Sequence, residues 1–130
     1  MSIDRRTFVV QAASLAAVTA TPSKVIAKGH SMYGLIGKMT AQPGKRDDLM
    51  KILLDGVAGM PGCLSYIVAE DPNDTNLIWI TEAWESKYAH VASLSLPSVK
   101  EAITKGRPLI AAMSAVAETS PIGGHGLAAH

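Results

Sequence analysis

The sequence predicts one α+β domain with the element order β-α-β-β-α-β, which is the ferredoxin-like arrangement. Three observations predict it: strand-like alternation from Ser31, a hairpin signal in the middle of the chain, and a helical pattern after each of them. Four such strands form one sheet with helices on a single face. Apolar side chains occur on both faces of the predicted strands, so we expect a second copy to cover the bare face in a homodimer.

The first half of the domain contains a strand and a helix. Residues 31–41 alternate in strand register, and the glycines among them leave room for a close neighbour. A Gln-Pro-Gly turn follows, and from Lys45 the pattern becomes helical. Gly59 and Pro61 are expected to end this helix. Its buried stripe is predicted to contain Leu49, Ile52, Leu53 and Val57.

A hairpin and a second helix follow. Cys63–Glu70 and residues 77–85 have the β-branched and aromatic composition of strands, and the Asp-Pro-Asn-Asp sequence between them is a strong turn signal. At Ser86 the pattern changes from strand to helix. Tyr88, Val91 and Ala92 recur at positions i, i+3 and i+4, which is the spacing of one helix face.

The last part of the domain begins at Pro97, where a new helical segment can start. Pro108 is expected to interrupt that segment. A short fourth strand is expected at residues 113–120. The buried stripe of the helical segment is predicted to contain Val99, Ala102 and Ile103.

The chain is expected to divide at two points. Residues 1–28 are predicted to be an export signal with its linker, residues 29–122 the folded domain, and residues 123–130 a glycine-rich C-terminal tail. The signal prediction rests on a basic pair, an alanine-rich run and small residues at its end. The alternative interpretation is an ordinary amphipathic helix that the mature protein retains.

The predicted signal resembles the twin-arginine type. Arg5 and Arg6 are followed by one spacer, then by phenylalanine and an aliphatic residue. The apolar run after them is too short to span a bilayer of about 30 Å, so no stable membrane anchor is expected. Cleavage is predicted after Ala20 or Ala27, which would give an exported, for example periplasmic, bacterial protein.

Composition excludes several classes of function. The chain has 12 Lys and Arg residues against 11 Asp and Glu residues, without a basic stripe that contains aromatics, so nucleic-acid binding is not expected. The single cysteine, Cys63, cannot form an intramolecular disulfide or a multi-cysteine metal site, and we expect it to be a small buried residue. The histidines lack ligand spacing, so no metal site is predicted.

The strand-to-helix junction within residues 77–94 is the strongest candidate for a functional site. It contains both tryptophans together with Glu82 and His90, in a chain that is only 5% aromatic. A histidine imidazole titrates near neutral pH, so His90 is a candidate general base. Such crowding indicates the wall of a pocket, and a purely structural cluster is the alternative.

Glu82 shares a strand face with Trp84. If that face is buried, its carboxylate needs a partner, for which Lys38 and Arg107 are candidates. A structural ion pair is therefore the alternative to a role in the pocket.

Trp79 and Trp84 are five positions apart on one strand, so they are expected to face opposite sides of the sheet. One should pack under the helices, and the other should face a pocket or the dimer interior. Core packing, a solvated surface charge or a disordered tail is the alternative for every candidate residue. The further candidates for substrate binding are Tyr33 and Tyr66 through their hydroxyls, Arg107 through an anionic substrate group, and His125 in the tail.

Four short motifs follow one another along the domain: Pro43-Gly44-Lys45, Gly62-Cys63, Glu82-Ala83-Trp84-Glu85-Ser86 and Leu96-Pro97-Ser98-Val99-Lys100. Each alone is degenerate, but their order and spacing are specific. On these motifs, residues 32–121 resemble the antibiotic biosynthesis monooxygenase family, including its quinol-monooxygenase-like members.

The resemblance implies a dimeric α+β barrel and a monooxygenase that uses O2 without a metal, flavin or other cofactor. Its substrates would be quinol-like or polyketide-like aromatic small molecules. In such chemistry an ionised phenol or enol gives electrons to oxygen directly. The protein shapes an apolar cavity, accepts a proton and stabilises the developing oxyanion.

The chain departs from the family at two positions. Where many members have histidines, this sequence has Ser93 and Ser98. His90 lies about one helical turn before Ser93 and is expected to point into the same space. His90, Glu82 and Ser93 are therefore the candidate catalytic residues.

Two other functions stay open on this sequence. One is a non-catalytic dimer that binds a small apolar molecule or protects against stress. The other is an isomerase or decarboxylase, because a fold does not fix a function.

Overall fold

The computed structural model of this protein describes residues 31–127. The elements run in the order β1 (Tyr33–Ala41), α1 (Arg46–Gly56), β2 (Cys63–Glu70), β3 (Leu77–Trp84), α2 (Lys87–Ser93), α3 (Pro97–Gly106), a 3-10 turn (Arg107–Leu109) and β4 (Ile110–Thr119). The predicted ferredoxin-like α+β fold is confirmed. The predicted export signal, with its cleavage sites after Ala20 and Ala27, lies outside the described residues.

The four strands form one antiparallel sheet in the order β2-β3-β1-β4. β1 and β3 are central, and β2 and β4 are the edges. Residues paired across such a ladder point to the same face. Leu35, Glu82 and Tyr66 therefore form one row across β1, β3 and β2, and this row lies on the face that carries the helices.

The core lies between α1 and the helix-covered face of the sheet. Leu49 of α1 is fully buried among side chains of β1 and β3, and Met50 and Leu53 pack against the same cluster. Gly56 lets α1 approach α3, because a Cβ there would lie 2.6 Å from the Cβ of Ala102. The core side chains around Leu49 are Met39, Ala41, Ile78 and Ile80.

Arg46 fixes the β2–β3 hairpin to the start of α1. Its guanidinium donates hydrogen bonds to the carbonyl oxygens of Asp71, Asp74 and Leu77 at 3.3, 2.8 and 3.3 Å. It also pairs with Glu70 at 3.4 Å. The guanidinium thus links three carbonyl oxygens at the end of the hairpin to the first turn of α1.

The predicted helix forms as α2, but the face that carries Tyr88, Val91 and Ala92 is exposed. Tyr88 and Val91 are 83% and 53% exposed. The helix has the opposite rotation because Ala89 packs on the turn at Gly62, where an added Cβ would lie only 2.6 Å from the Cβ of Ala89. The α2 side chains that are buried or half-buried are those of Ala89, His90 and Ser93.

The fourth strand is longer than predicted. It begins at Ile110, which pairs with Ala41, and the register shifts between Thr40 and Ala41 to allow this pairing. The β4 edge is open: Met113 is 65% exposed. Ile103, predicted to be buried in α3, is 40% exposed on the same side of the cavity described below.

Candidate functional site

A cavity of about 670 Å³ lies between the helices and the sheet, and its lining is mostly apolar. The volume falls in the range of sites for small organic molecules. The sheet leaves space for the cavity because Gly37 of β1 and Ala115 of β4 have small side chains or none. The two residues are paired on the helix-covered face, where larger side chains would fill the space. Gly37 thus leaves room for the cavity, whereas the sequence predicts that glycines of this strand leave room for a close neighbour.

Glu82, Trp84 and His90 meet at one end of this cavity. The indole Nε1 of Trp84 donates a 2.9 Å hydrogen bond to Oε1 of Glu82. Nε2 of His90 lies 3.8 Å from the same oxygen. The side chains of Glu82 and His90 are 11% and 19% exposed, so this carboxylate–imidazole pair is largely shielded from water.

The imidazole of His90 is held between two aromatic rings. Its centroid lies 5.4 Å from that of Tyr33 and 5.3 Å from that of Trp84, the latter in an edge-on arrangement. Ser93 donates its hydroxyl to the carbonyl oxygen of His90 at 2.6 Å. Nδ1 of His90 is buried and has no hydrogen-bond partner within residues 31–127.

Burial changes the acidity of two groups at this end of the cavity. It raises the pKa of Glu82, and the Trp84 hydrogen bond and the nearby His90 offset this rise only in part. It also raises the pKa of Tyr66, whose hydroxyl therefore stays protonated over the physiological range. A carboxylate with a raised pKa is a stronger proton acceptor than an ordinary surface carboxylate.

Lys87 and Glu118 support this site from outside the cavity, and neither residue was predicted from the sequence. Tyr33 donates its hydroxyl to Oε2 of Glu118 at 2.7 Å, and Lys87 pairs with the same oxygen at 3.4 Å. The bond to Glu118 is the main cause that raises the pKa of Tyr33 to about 12. The same bond, with Lys87, lowers the pKa of Glu118. No local sequence signal links Tyr33 to a residue so distant in the chain.

The structure places most predicted site residues around one cavity. Tyr33 reaches the site through its ring contact with His90, whereas Arg107 lines the cavity from the 3-10 turn. The predicted partners of Glu82 were wrong: His90 is its neighbour, and Lys38 lies over the ring of Trp79. The residues gathered at the inner end are Tyr66, Glu82, Trp84, His90 and Ser93.

Trp79 and His125 lie elsewhere. Trp79 occupies the face opposite to Trp84, as the odd spacing predicts, and its Nε1 donates to Asp71 at 2.8 Å. His125 lies with the C-terminal tail in a shallow depression on the helix-free face, near Ile36. Neither side chain contributes to the lining of the cavity.

The described residues show neither a metal-ligand cluster nor a membrane-spanning helix. Residues 31–127 contain no group of three or more His, Cys, Asp or Glu side chains that could hold a metal ion. No helix in this range is long and apolar enough to cross a bilayer. Cys63 is a half-buried free thiol.

The fold and the site together are those of a ferredoxin-like α+β domain with a shielded carboxylate–imidazole pair at one end of an apolar cavity. The model of the antibiotic biosynthesis monooxygenase family matches residues 32–105. The chain belongs to this family, and the sequence-based family assignment is confirmed. No curated protein matches the chain.

Solved structures agree with this assignment. A crystal structure named "putative antibiotic biosynthesis monooxygenase" from Chloroflexus aurantiacus J-10-fl is 63% identical, with a TM-score of 0.72 over 75% of this chain and 99% of that chain. A similarly named protein from Caulobacter crescentus CB15 is 22% identical, with a TM-score of 0.66 over 72% and 92% of the two chains. A third, PA3566 from Pseudomonas aeruginosa, is 22% identical, with a TM-score of 0.64 over 72% and 96%. The last two similarities concern the fold alone.

Proposed function

We propose that this protein is a cofactor-independent monooxygenase that oxygenates quinol-like or polyketide-like aromatic molecules with O2. The observation that carries the proposal is the convergence of Glu82, Trp84 and His90 on one end of an apolar cavity. Membership of the antibiotic biosynthesis monooxygenase family supports the reaction class.

The proposed chemistry begins with the removal of a substrate proton. Glu82 accepts the proton of a phenolic or enolic hydroxyl of the substrate. His90 lies beside Glu82, close enough to stabilise the negative charge that develops on the substrate oxygen. The resulting anion supplies the electrons for O2. For a hydroquinone, one molecule and one O2 give a hydroxyquinone and water, so one oxygen atom enters the ring and the other leaves as water. The substrate is both the electron donor and the oxygen acceptor.

The apolar walls favour this reaction in two ways. They exclude water, which strengthens the interaction of the anion with the groups around it. They also bury the aromatic body of the substrate, which supplies binding free energy in proportion to the apolar area removed from water.

Oxygen uptake by metal-free protein tests the proposal. A panel of hydroquinones and anthrones is mixed with protein treated with chelator, and O2 consumption and product mass are measured. With ¹⁸O2, we expect one labelled oxygen atom in the product. A reaction that continues under nitrogen would show an isomerase or decarboxylase instead. Ligand binding without any turnover across the panel would show a non-catalytic binding protein.

We also propose that the protein is a homodimer whose subunits pack through the helix-free face of the sheet. The apolar side chains on this face support the proposal, because Ile67 of β2 is 54% exposed in the single chain. Ile36 and Thr81 belong to the same face, beside the C-terminal tail. Burial of such a face in a symmetric pair is a common arrangement.

Replacing Ile67 with lysine is expected to move the protein from dimer to monomer in sedimentation velocity, because the change puts a charge into the proposed interface. Leu54→Lys is the matched control. Leu54 lies on α1 and is 56% exposed, so the same charge should leave the mass unchanged. A dimer that survives Ile67→Lys, or a wild-type monomer at micromolar concentration, would contradict this interface.

We propose, finally, that the protein is exported through the twin-arginine pathway and has a periplasmic or other exported location. The proposal rests on Arg5 and Arg6 and on the alanine-rich run after them. Intact mass measurement of the protein recovered from a periplasmic fraction should give a chain that begins after Ala20 or Ala27. A full-length cytoplasmic product would contradict the proposal.

A further inference from the structure

Arg107 and Glu82 line the same cavity from opposite ends of β1. Glu82 is paired with Leu35, near the start of that strand. Arg107 begins the 3-10 turn whose Leu109 carbonyl accepts the backbone N–H of Gln42 at 2.7 Å, just beyond the end of the strand. Leu35 and Gln42 are separated on the order of 20 Å at about 3.3 Å per residue. The cavity is therefore a long slot with a different charge at each end.

Arg107 is available to a ligand. Its side chain makes no hydrogen bond or ion pair with any residue in the range 31–127. Arg46, the other arginine of that range, is occupied by three carbonyl oxygens and Glu70. Lys38 contributes to the lining, but its ammonium lies 5.8 Å from the ring centroid of Trp79 on the opposite face. Among residues 31–127, Arg107 is thus the cavity-lining cation that has neither an ion-pair partner nor an aromatic ring beside it.

The walls between the two ends are mostly apolar. Met39, Leu49 and Ile80 form the inner wall, and each is at most 7% exposed. Met113 and Ile103 line the outer side, where the slot opens beside β4. A ligand that fills this slot needs an apolar body between two polar ends.

We propose that the slot selects an elongated aromatic compound with an ionisable hydroxyl at one end and a carboxylate at the other. The hydroxyl lies at Glu82 and the carboxylate binds Arg107. A guanidinium fits a carboxylate because two parallel N–H groups can donate to its two oxygens. The assignment of the hydroxyl end rests on the proposed function, whereas the assignment of the carboxylate end rests on Arg107 alone.

Binding under nitrogen tests the inference without turnover. The probes are hydroquinones that carry straight carboxyalkyl tails of increasing length, each compared with its methyl ester by titration calorimetry. We expect the acids to bind about tenfold more tightly than the esters, as one charge-assisted contact provides. The difference should be largest at one intermediate tail length. In Arg107→Gln it should disappear.

Lys105→Gln is the matched control. Lys105 lies on α3 two residues before Arg107, pairs with Glu101 at 3.0 Å and does not line the cavity. Lys105→Gln removes one positive charge, as Arg107→Gln does, but outside the cavity. The acid–ester difference should therefore persist in Lys105→Gln. Equal affinities of acid and ester for the wild type, or an equal loss in both variants, would overturn the inference.

The result is separable from the proposed function. If the acid–ester difference depends on Arg107 but no O2 is consumed, the oxygenase proposal fails and the slot assignment stands. If O2 is consumed but acids and esters bind alike, the assignment of Arg107 fails. Thermal unfolding shows whether Arg107→Gln is folded. We expect an unfolding temperature like that of the wild type, because this exposed side chain has no partner to lose within residues 31–127.

Discussion

Replacing Glu82 by glutamine is expected to lower kcat by about 100- to 10,000-fold, the usual contribution of a positioned general base. The amide keeps the size of the carboxylate, and its oxygen can still accept the 2.9 Å hydrogen bond from Trp84. The fold and the cavity should therefore be retained. The variant loses only the group that can take the substrate proton.

The pH dependence gives a second measurement of the same group. Burial raises the pKa of Glu82 above its usual value of 4.5, so the active carboxylate form is lost as pH falls through this raised pKa. The acid limb of kcat/KM should lie above pH 4.5 in the wild type and be absent from Glu82→Gln. An acid limb that survives in the variant would assign it to another group.

The contribution of Glu82 to stability should depend on pH in the direction opposite to its contribution to activity. A carboxyl whose pKa is higher in the folded than in the unfolded state binds its proton more tightly when folded. Its contribution to stability is therefore greatest at low pH and is lost as pH rises through the folded pKa. Urea unfolding should show the wild type gaining stability relative to Glu82→Gln as pH is lowered through the pKa of Glu82.

Glu85→Gln is the control for these measurements. Glu85 follows Trp84 directly and its side chain is exposed outside the cavity, so the same substitution there should leave kcat unchanged. His90→Asn separates the two members of the pair. If His90 is the base, His90→Asn should lower kcat more than Glu82→Gln, which would contradict the assignment to Glu82.

The parts of the fold that could be predicted from the sequence are those with a signal in a few neighbouring residues. The strands at Cys63–Glu70 and Leu77–Trp84 carry their own signals, because β-branched alternation and an Asp-Pro-Asn-Asp turn act over few residues. α2 has seven residues, about two turns, so an apolar pattern cannot fix its rotation. Ser86 as N-cap and the contact of Ala89 with Gly62 fix it instead.

The candidate site was predictable in part for the same reason. Glu82, Trp84 and His90 lie within nine positions of one another, and strand alternation places the first two on one face. The bond between Tyr33 and Glu118 joins residues 85 positions apart, and only the pairing of β1 with β4 brings them together. The position of Arg107 likewise depends on the return of the chain to the end of β1.

Replacing Gly37 by leucine is expected to weaken the binding of aromatic ligands by about 100-fold or more, because the side chain fills the middle of the slot and removes apolar contact area. Gly37 does not have a positive φ, so the backbone accepts a side chain. Within residues 31–127, and apart from the two adjoining residues, the only atom within 4 Å of an added Cβ is the carbonyl oxygen of Ser114, at 3.4 Å. The rest of the leucine extends into the cavity.

Stability and affinity should therefore separate in this variant. Glycine inside a strand costs roughly 0.5–1 kcal/mol relative to alanine, so Gly37→Leu should leave the free energy of unfolding unchanged or raise it. Gly37→Ala should give a smaller loss of affinity, in order of side-chain size. Thr40→Leu, on the opposite face of the same strand, is the control and should bind normally. Wild-type affinity in a folded Gly37→Leu protein would show that aromatic ligands do not occupy the part of the cavity beside Gly37.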